Sequence, residues 1–408
     1  MTPDTRLDQP LLPAYECGSI CNLTSTILRS FGEKNVPSNV LPAPPLLQRL
    51  EYSDRVVLLV LDALGHLQLA DRKDDAGSVL AGIGATGFAL RLTTVFPSTT
   101  TAALTSLYTG CTPQQHGMLG YRLYLNEYSA VADMLMLSPA GSGAPDLLAQ
   151  QGMRHHQFLG KPTVFERLRK LGVPTATLCR GAYAGTGLSR LLHRGADQVL
   201  PVVAFSDLCV QVRKLVNDPN GPRFILAYWD TLDGIAHQYG PDSEEFSAEL
   251  RNLGAALESE WVGHRGMGKR DVTLAIAADH GQLETDPKLR IETKRYPSLL
   301  SRLLVPPTGD GRAAYLHCHQ GEQEAVRRFF ADRFGALLPC TPSDAALQQG
   351  LFGRGRWHRH TRERIGDFVV LPQGRATLES PFSKTILKGR HGGLSPEETL
   401  VPLLCTTL

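Results

Sequence analysis

Residues 55–62 read Arg-Val-Val-Leu-Leu-Val-Leu-Asp, six consecutive aliphatic residues between one cation and one carboxylate. An unbroken Val/Leu run of this length has no polar face, so it reads as a strand covered on both sides, as in a parallel sheet. Asp62 stands at its carboxyl end, followed by Ala63-Leu64-Gly65. Open α/β sheets bind ligands outside the carboxyl ends of their strands, and a carboxylate there must be solvated, paired or bound to a cation.

The rest of the chain alternates in the same way. Strands are expected at Phe88–Val95, Pro174–Cys179, Phe224–Trp229 and Val272–Ala278, with helices from Ala102, over Thr163–Leu171, Phe205–Val216 and Ser243–Val262. Crossover-length connections between them imply right-handed βαβ units. Residues 121–160 break the pattern as an excursion beside the sheet. A second interruption at 283–365 reads as a small α+β insertion or cap, and Ile365–Leu371 and Val401–Leu404 return as strands. The expected organisation is an α/β fold, a mostly parallel central sheet flanked by helices. It has an N-terminal extension (1–50), a catalytic domain (51–282 and 366–408) and the insertion (283–365).

Chemistry concentrates in five places. These are Asp62, the run Ser98-Thr99-Thr100-Thr101 after Phe96-Pro97, Asp233-Gly-Ile-Ala-His237, Asp279-His280-Gly281, and His391 between Arg390 and Gly392. The threonines sit at the start of a helix, where free backbone N–H groups and the dipole favour an anion such as phosphate. Asp233 and His237 share one helix face if that stretch is helical. Carboxylate and imidazole together suit zinc, manganese or iron. Three aspartates, three histidines and one hydroxyl are enough for two metal ions, which at about 4 Å separation can hold both the attacking and leaving oxygens of an in-line phosphoryl displacement. A metal-coordinated hydroxyl among Thr99 to Thr101 is a candidate nucleophile. Singly, each piece has an ordinary structural explanation; together and in this order they do not.

In that order the motifs resemble the alkaline phosphatase superfamily, and within it the type I phosphodiesterase/nucleotide pyrophosphatase branch. The matching pieces are Leu-Asp62-Ala-Leu-Gly, Phe-Pro-Ser-Thr-Thr…Tyr-Thr-Gly110…His-Gly117, Asp233-x3-His237-x2-Gly-Pro, Asp279-His-Gly and Arg-His391-Gly-Gly. The resemblance implies that Asp62, Thr100, Asp279 and His280 bind one metal, and that Asp233, His237 and His391 bind the other. It implies that Thr100 attacks phosphorus to form a phosphothreonine, which water at the second metal then releases. Thr100 is preferred to Thr99 by its distance from Thr109-Gly110. The chain departs from the familiar Thr-Phe-Pro-Asn arrangement, since Phe96-Pro97 precedes the nucleophile. The implied cofactors are two divalent ions, zinc or alternatively manganese. The implied substrate is a small phosphorylated compound of nucleotide type, with Lys388 and Arg390 as candidate contacts. Phosphomonoester hydrolysis, phosphate transfer within a sugar phosphate, and non-catalytic phosphate or nucleotide binding are the competing functions.

Several other features take the plain reading. Asp230 is a weaker ligand than Asp233, and His116 is structural. His317-Cys318-His319 alternates across a strand and is no metal triplet. Gly82-x-Gly84-x2-Gly87 precedes a strand and so does not bind a dinucleotide. The run Arg354, Arg356, His358, Arg359, His360, Arg362 is a solvated loop, or alternatively a rim attracting phosphate. Net charge is +2, giving no reason to expect a nucleic acid polymer or membrane partner. Eight scattered cysteines, no long apolar run and no signal-like N-terminus lead to an expected cytoplasmic location.

Overall fold

The computed structural model describes residues 9–264, 267, 271–383 and 385–408, so residues 1–8 of the expected N-terminal extension lie outside the described residues. The expected strand at 55 forms as β1, Arg55–Leu61, with all seven residues buried. Each Val or Leu side chain hidden there contributes about 1.5–3 kcal/mol relative to exposure. Six further strands join it: β2 (Phe88–Thr93), β3 (Thr175–Arg180), β4 (Gln198–Val202), β5 (Phe224–Trp229), β6 (Val272–Ala277) and β7 (Leu400–Thr407). Their spatial order is β2-β7-β6-β1-β5-β3-β4. β1 lies between β5 and β6, parallel to both, and β3 runs parallel to β4 and β5. Only β7 runs against its neighbours β2 and β6.

This topology decides where the site can be. The carboxyl ends of β1, β5, β6 and β2 share one edge of the sheet, and β7 starts at that edge, since Leu400 pairs with Thr93 and Leu403 with Ala277. The segments after four strands and before a fifth therefore converge. Those segments carry Asp62, Asp233 and His237, Asp279 and His280, Thr100, and His391.

Helices cover the sheet in two groups. Helix α1 (Ile20–Ser30) packs on α2 (Thr100–Thr109), and α2 packs on Val164–Lys170. Elsewhere α3 (Thr231–Tyr239) and α4 (Glu244–Leu257) pack together, with Ser78–Thr86 and Phe205–Asn217 against α4. Helix α2 starts two residues earlier than the expected Ala102. Thr99 is its extended N-cap and Gly110, at φ 70°, ends it.

The two interruptions meet in space. Strands at 340–342, 368–370, 313–316, 308–310, 122–125, 130–133 and 138–139 form, in that order, a second sheet whose pairings are all antiparallel. The boundary expected at 365/366 does not follow this sheet, because Phe368–Val370 pairs with 313–316 and 340–342 rather than with the central sheet. A short apolar run identifies a buried strand but not the sheet that takes it. A smaller core of Leu299, Leu316, Val326, Phe330, Phe368 and Leu378 backs this second layer.

Candidate active site

The loop after β1 is held tightly against the loop after β6. Ala63 adopts φ 60°, a conformation a side-chain-bearing residue seldom takes, and its N–H donates to Asp279 Oδ1 at 3.2 Å. A Cβ on Gly281 would lie 2.1 Å from the Glu397 carbonyl and 2.9 Å from the Gly65 Cα, so this approach requires glycine. Asp62 and Asp279 are thereby brought side by side at 2 % and 0 % exposure. Asp62 Oδ2 accepts from the Tyr228 hydroxyl, and Asp279 Oδ1 also accepts from the His280 N–H. Their remaining oxygens, Asp62 Oδ1 and Asp279 Oδ2, are buried with no hydrogen-bond partner among the described residues. Burial raises the pKa of Asp62 well above the carboxylate range, reinforced by the negative charges of Asp279 and Asp233; burial raises Asp279 as well.

Three imidazoles complete the cluster, each turned the same way. Nδ1 of His237 lies 2.8 Å from the Gly389 carbonyl, Nδ1 of His391 2.9 Å from the Ser98 carbonyl, and Nδ1 of His280 3.2 Å from the Gly281 carbonyl. A carbonyl can only accept, so each Nδ1 carries a proton and each Nε2 points inward. His237 Nε2 is 3.4 Å and His391 Nε2 3.7 Å from Asp233 Oδ1. His280 Nε2 is 3.4 Å from Asp279 Oδ2 and 3.5 Å from Asp62 Oδ1. The His280 and His391 rings stack with centroids 3.8 Å apart. Burial, with His280 and His237 adjacent, pushes His391 well below the usual imidazole range, so it is neutral at pH 7.

Within this cluster two groups have ligand atoms close enough together for one ion each: Asp233, His237 and His391, and Asp62, Asp233 and His280. Orphaned carboxylate oxygens facing the inward imidazole nitrogens form a donor set that fits divalent cations. Asp233 belongs to both groups. Gln282 holds it, donating from Nε2 to Asp233 Oδ1 at 2.5 Å.

Thr100 opens α2 beside this cluster, its Oγ1 3.0 Å from His280 Nε2. Thr99 and Thr100 line one cavity, and the Thr99 side chain lies beside the buried carboxyl of Asp310. This cavity, of about 480 Å³, lies over Thr100, Asp233, His237 and His391. Its far wall is the second sheet and the segment 378–390, including Arg122, Asp310, Phe382 and Arg390. Arg390 is turned onto Glu379, with Nη2 2.7 Å from Oε1. The Lys388 side chain is exposed and does not line this cavity.

The remaining sequence features lie elsewhere. Asp230 accepts from Arg180 Nη1 at 3.2 Å and Tyr183 Oη at 2.6 Å and belongs to neither ion-sized group. His116 is buried between Ser106 Oγ and the Met118 N–H. His317, Cys318 and His319 form no such group among the described residues, and none of the arginines between 354 and 362 lines the cavity. Gly82 and Gly84 lie within the helix Ser78–Thr86. Tyr228, Gln282, Arg122 and Asp310 had no sequence signal of their own. Only the position of Tyr228 near the end of a buried strand and that of Gln282 two residues beyond His280 hinted at the site.

The fold is shared with solved proteins. Murine ectonucleotide pyrophosphatase/phosphodiesterase 5 superposes with a TM-score of 0.66 at 17% identity, covering 86% of this chain and 87% of that one. An inactive variant of that murine protein, solved in complex with AMP, gives 0.63 at 16% identity over 86% and 87%. Phosphonoacetate hydrolase from Sinorhizobium meliloti 1021, in complex with phosphonoacetate, gives 0.64 at 17% identity over 87% and 90%. No curated protein sequence matches the chain. The profile of one family, type I phosphodiesterase/nucleotide pyrophosphatase, matches residues 56–394. That span holds β1, all five chemical segments and the second sheet, and the chain belongs to the type I phosphodiesterase/nucleotide pyrophosphatase family, whose members are phosphoric ester hydrolases.

Proposed function

We propose that this protein is a two-metal hydrolase that cleaves phosphodiester or pyrophosphate bonds of a small, nucleotide-type substrate, with Thr100 as nucleophile. The observation that carries the reading is the convergence of three inward Nε2 atoms and two orphaned carboxylate oxygens beside the hydroxyl at the start of α2. Asp62, Thr100, Asp279 and His280 would hold one ion, and Asp233, His237 and His391 the other, with Asp233 near enough to Asp62 and His280 to bridge. Two divalent ions, zinc or manganese, would neutralise these carboxylates and acidify the threonine hydroxyl.

The chain's own groups do the rest. Thr100 Oγ1 lies 3.0 Å from His280 Nε2, whose ring is oriented by its Nδ1 against the Gly281 carbonyl, so the hydroxyl is positioned beside the nitrogen that would share its ion. Thr100 Oγ1, its proton passing to water, attacks phosphorus, forming an O–P bond as the bond to the leaving oxygen breaks. The unpaired N–H groups at the start of α2 face the charge that develops on the phosphoryl oxygens. Hydrolysis of the phosphothreonine by water regenerates Thr100. AMP in one structural neighbour and phosphonoacetate in another support a small phosphorylated or phosphonylated substrate. All eight cysteines are free thiols, which supports a reducing, cytoplasmic location.

The test starts with metal content by elemental mass spectrometry, on protein purified without added metal or chelator. About two equivalents of zinc or manganese per chain are expected, falling in His237→Ala. Turnover of bis-p-nitrophenyl phosphate is expected to drop by about three orders of magnitude or more in Thr100→Ala and Asp62→Ala, and the matched monoester is expected to react more slowly. No metal uptake on titration, or near-full turnover in both variants, would overturn the assignment. Faster turnover of the monoester would turn it to phosphomonoester chemistry.

A further inference from the structure

The wall of the cavity opposite Thr100 contains an arginine whose hydrogen-bonding capacity the protein does not use. Arg122 projects from the strand 122–125 and is only 12% exposed. Its Nε donates to Asp133 Oδ1 at 2.7 Å, directly across the strand pair. Its guanidinium carbon lies 5.6 Å from the Tyr121 ring centroid and 5.2 Å from that of Phe382. Three contacts thus lock the planar group in place. Neither Nη1 nor Nη2 donates to an acceptor among the described residues, although Arg122 lines the same cavity as Thr100, His237 and His391. The other arginine in that lining, Arg390, has Nη2 engaged with Glu379.

The cavity lining thus holds a fixed guanidinium whose two Nη groups are left available to a ligand. The pair of Nη groups matches two oxygens of one carboxylate or phosphate. Asp133 balances the charge of Arg122, so recognition there rests on directed hydrogen bonds rather than on a net field.

We propose that Arg122 receives a second anionic group of the substrate, so that this enzyme acts on small phosphoric or phosphonic compounds carrying a carboxylate or a further phosphate beyond the reacting phosphorus. This rests on the assignment of the reacting phosphoryl group to the Thr100 centre. Arg122 is a specificity residue, remote from the bonds that change.

Isothermal calorimetry on the metal-loaded protein tests it with methylphosphonate, phosphonoacetate, methylenebisphosphonate and AMP, in wild type, Arg122→Met and Arg122→Lys. The readout is the affinity ratio of each ligand to methylphosphonate, in which metal chelation common to all three proteins cancels. At least one of the two bifunctional anions is expected to bind wild type tenfold or more tightly than methylphosphonate. Which of them gains identifies the group as carboxylate or phosphate. The ratio is expected to collapse toward one in Arg122→Met. In Arg122→Lys, which keeps Asp133 paired and guards against misfolding, it is expected to fall in part. Wild-type ratios in both variants, or no preference in wild type, overturn the proposal. So does loss of the AMP ratio alone, which would mean that Arg122 reads a nucleobase edge. If wild type fails to turn over bis-p-nitrophenyl phosphate, the proposed function fails, and the binding ratios still decide the role of Arg122.

Discussion

At the scale of single residues, the site is organised by groups that would not themselves touch phosphorus. Each histidine of the cluster has its outer nitrogen bound to a backbone carbonyl, which sets the tautomer before any ion arrives. Asp62 is aimed by Tyr228 and Asp233 by Gln282. Gln282 is fully buried, and its Nε2 has no water to fall back on if Asp233 moves. Gln282→Leu is therefore expected to leave the fold intact and to weaken metal binding by about 10–100-fold. Competition with a chromophoric chelator measures this directly, and an unchanged affinity would show that Asp233 needs no such support.

At the scale of elements, the segment 389–399 is the least self-sufficient part of the site. It carries His391 yet contains only the two-residue strand Gly389–Arg390 and one short helix, Pro396–Thr399. It is pinned by Glu398, which accepts from the Gly393 N–H at 2.8 Å and pairs with Arg312 of the second sheet through Nη2–Oε2 at 2.9 Å and Nε–Oε1 at 3.1 Å. Both side chains are buried, at 2% and 0% exposure, and Arg312 Nη1 also donates to the Gly374 and Ala376 carbonyls. Removing Arg312 leaves a buried carboxylate without its cation. Arg312→Leu is expected to destabilise the protein by about 3–5 kcal/mol in chemical denaturation, with part of the loss recovered in the Arg312→Leu/Glu398→Leu double variant. A change below about 1 kcal/mol would show that the ion pair does not hold this segment.

At the scale of the molecule, the response to acid follows from one buried and two half-buried histidines away from the site. Burial lowers His317 from 6.5 to about 4, and it holds His193 and His358 near 4 as well. Below pH 6.5 the unfolded chain takes up protons that the native imidazoles resist. Stability from these groups is therefore complete above about pH 6.5 and is lost as pH falls toward 4. For His317, only 6% exposed, the loss amounts to about 3 kcal/mol at most. The denaturation midpoint of His317→Gln is expected to fall less steeply over this range than that of wild type. The difference between the two proteins isolates His317 from Asp62 and Asp279, whose raised pKa values tilt the slope the other way. Parallel profiles would show that His317 accepts a proton in the native state.

The α/β alternation, the buried strand before Asp62 and the five chemical segments were all legible in the chain itself, because they depend on local composition. A run of six aliphatic residues can only be buried, and Asp-x3-His on a helix shares a face whatever surrounds it. β1, β5 and β6 formed within a residue of their expected ends for that reason. Partner choice among short strands was not legible: 122–125, 308–310 and 368–370 carry no mark of joining one sheet, since the pairing joins Arg122 to Gly309, far apart in the chain. The same holds for Tyr228, Gln282, Arg312 and Arg122, ordinary residues locally, whose roles come from what the sheet order sets opposite them. Local sequence determined which residues could do chemistry. The tertiary structure decided which of them meet, because long-range pairing, not periodicity, sets the distances between them.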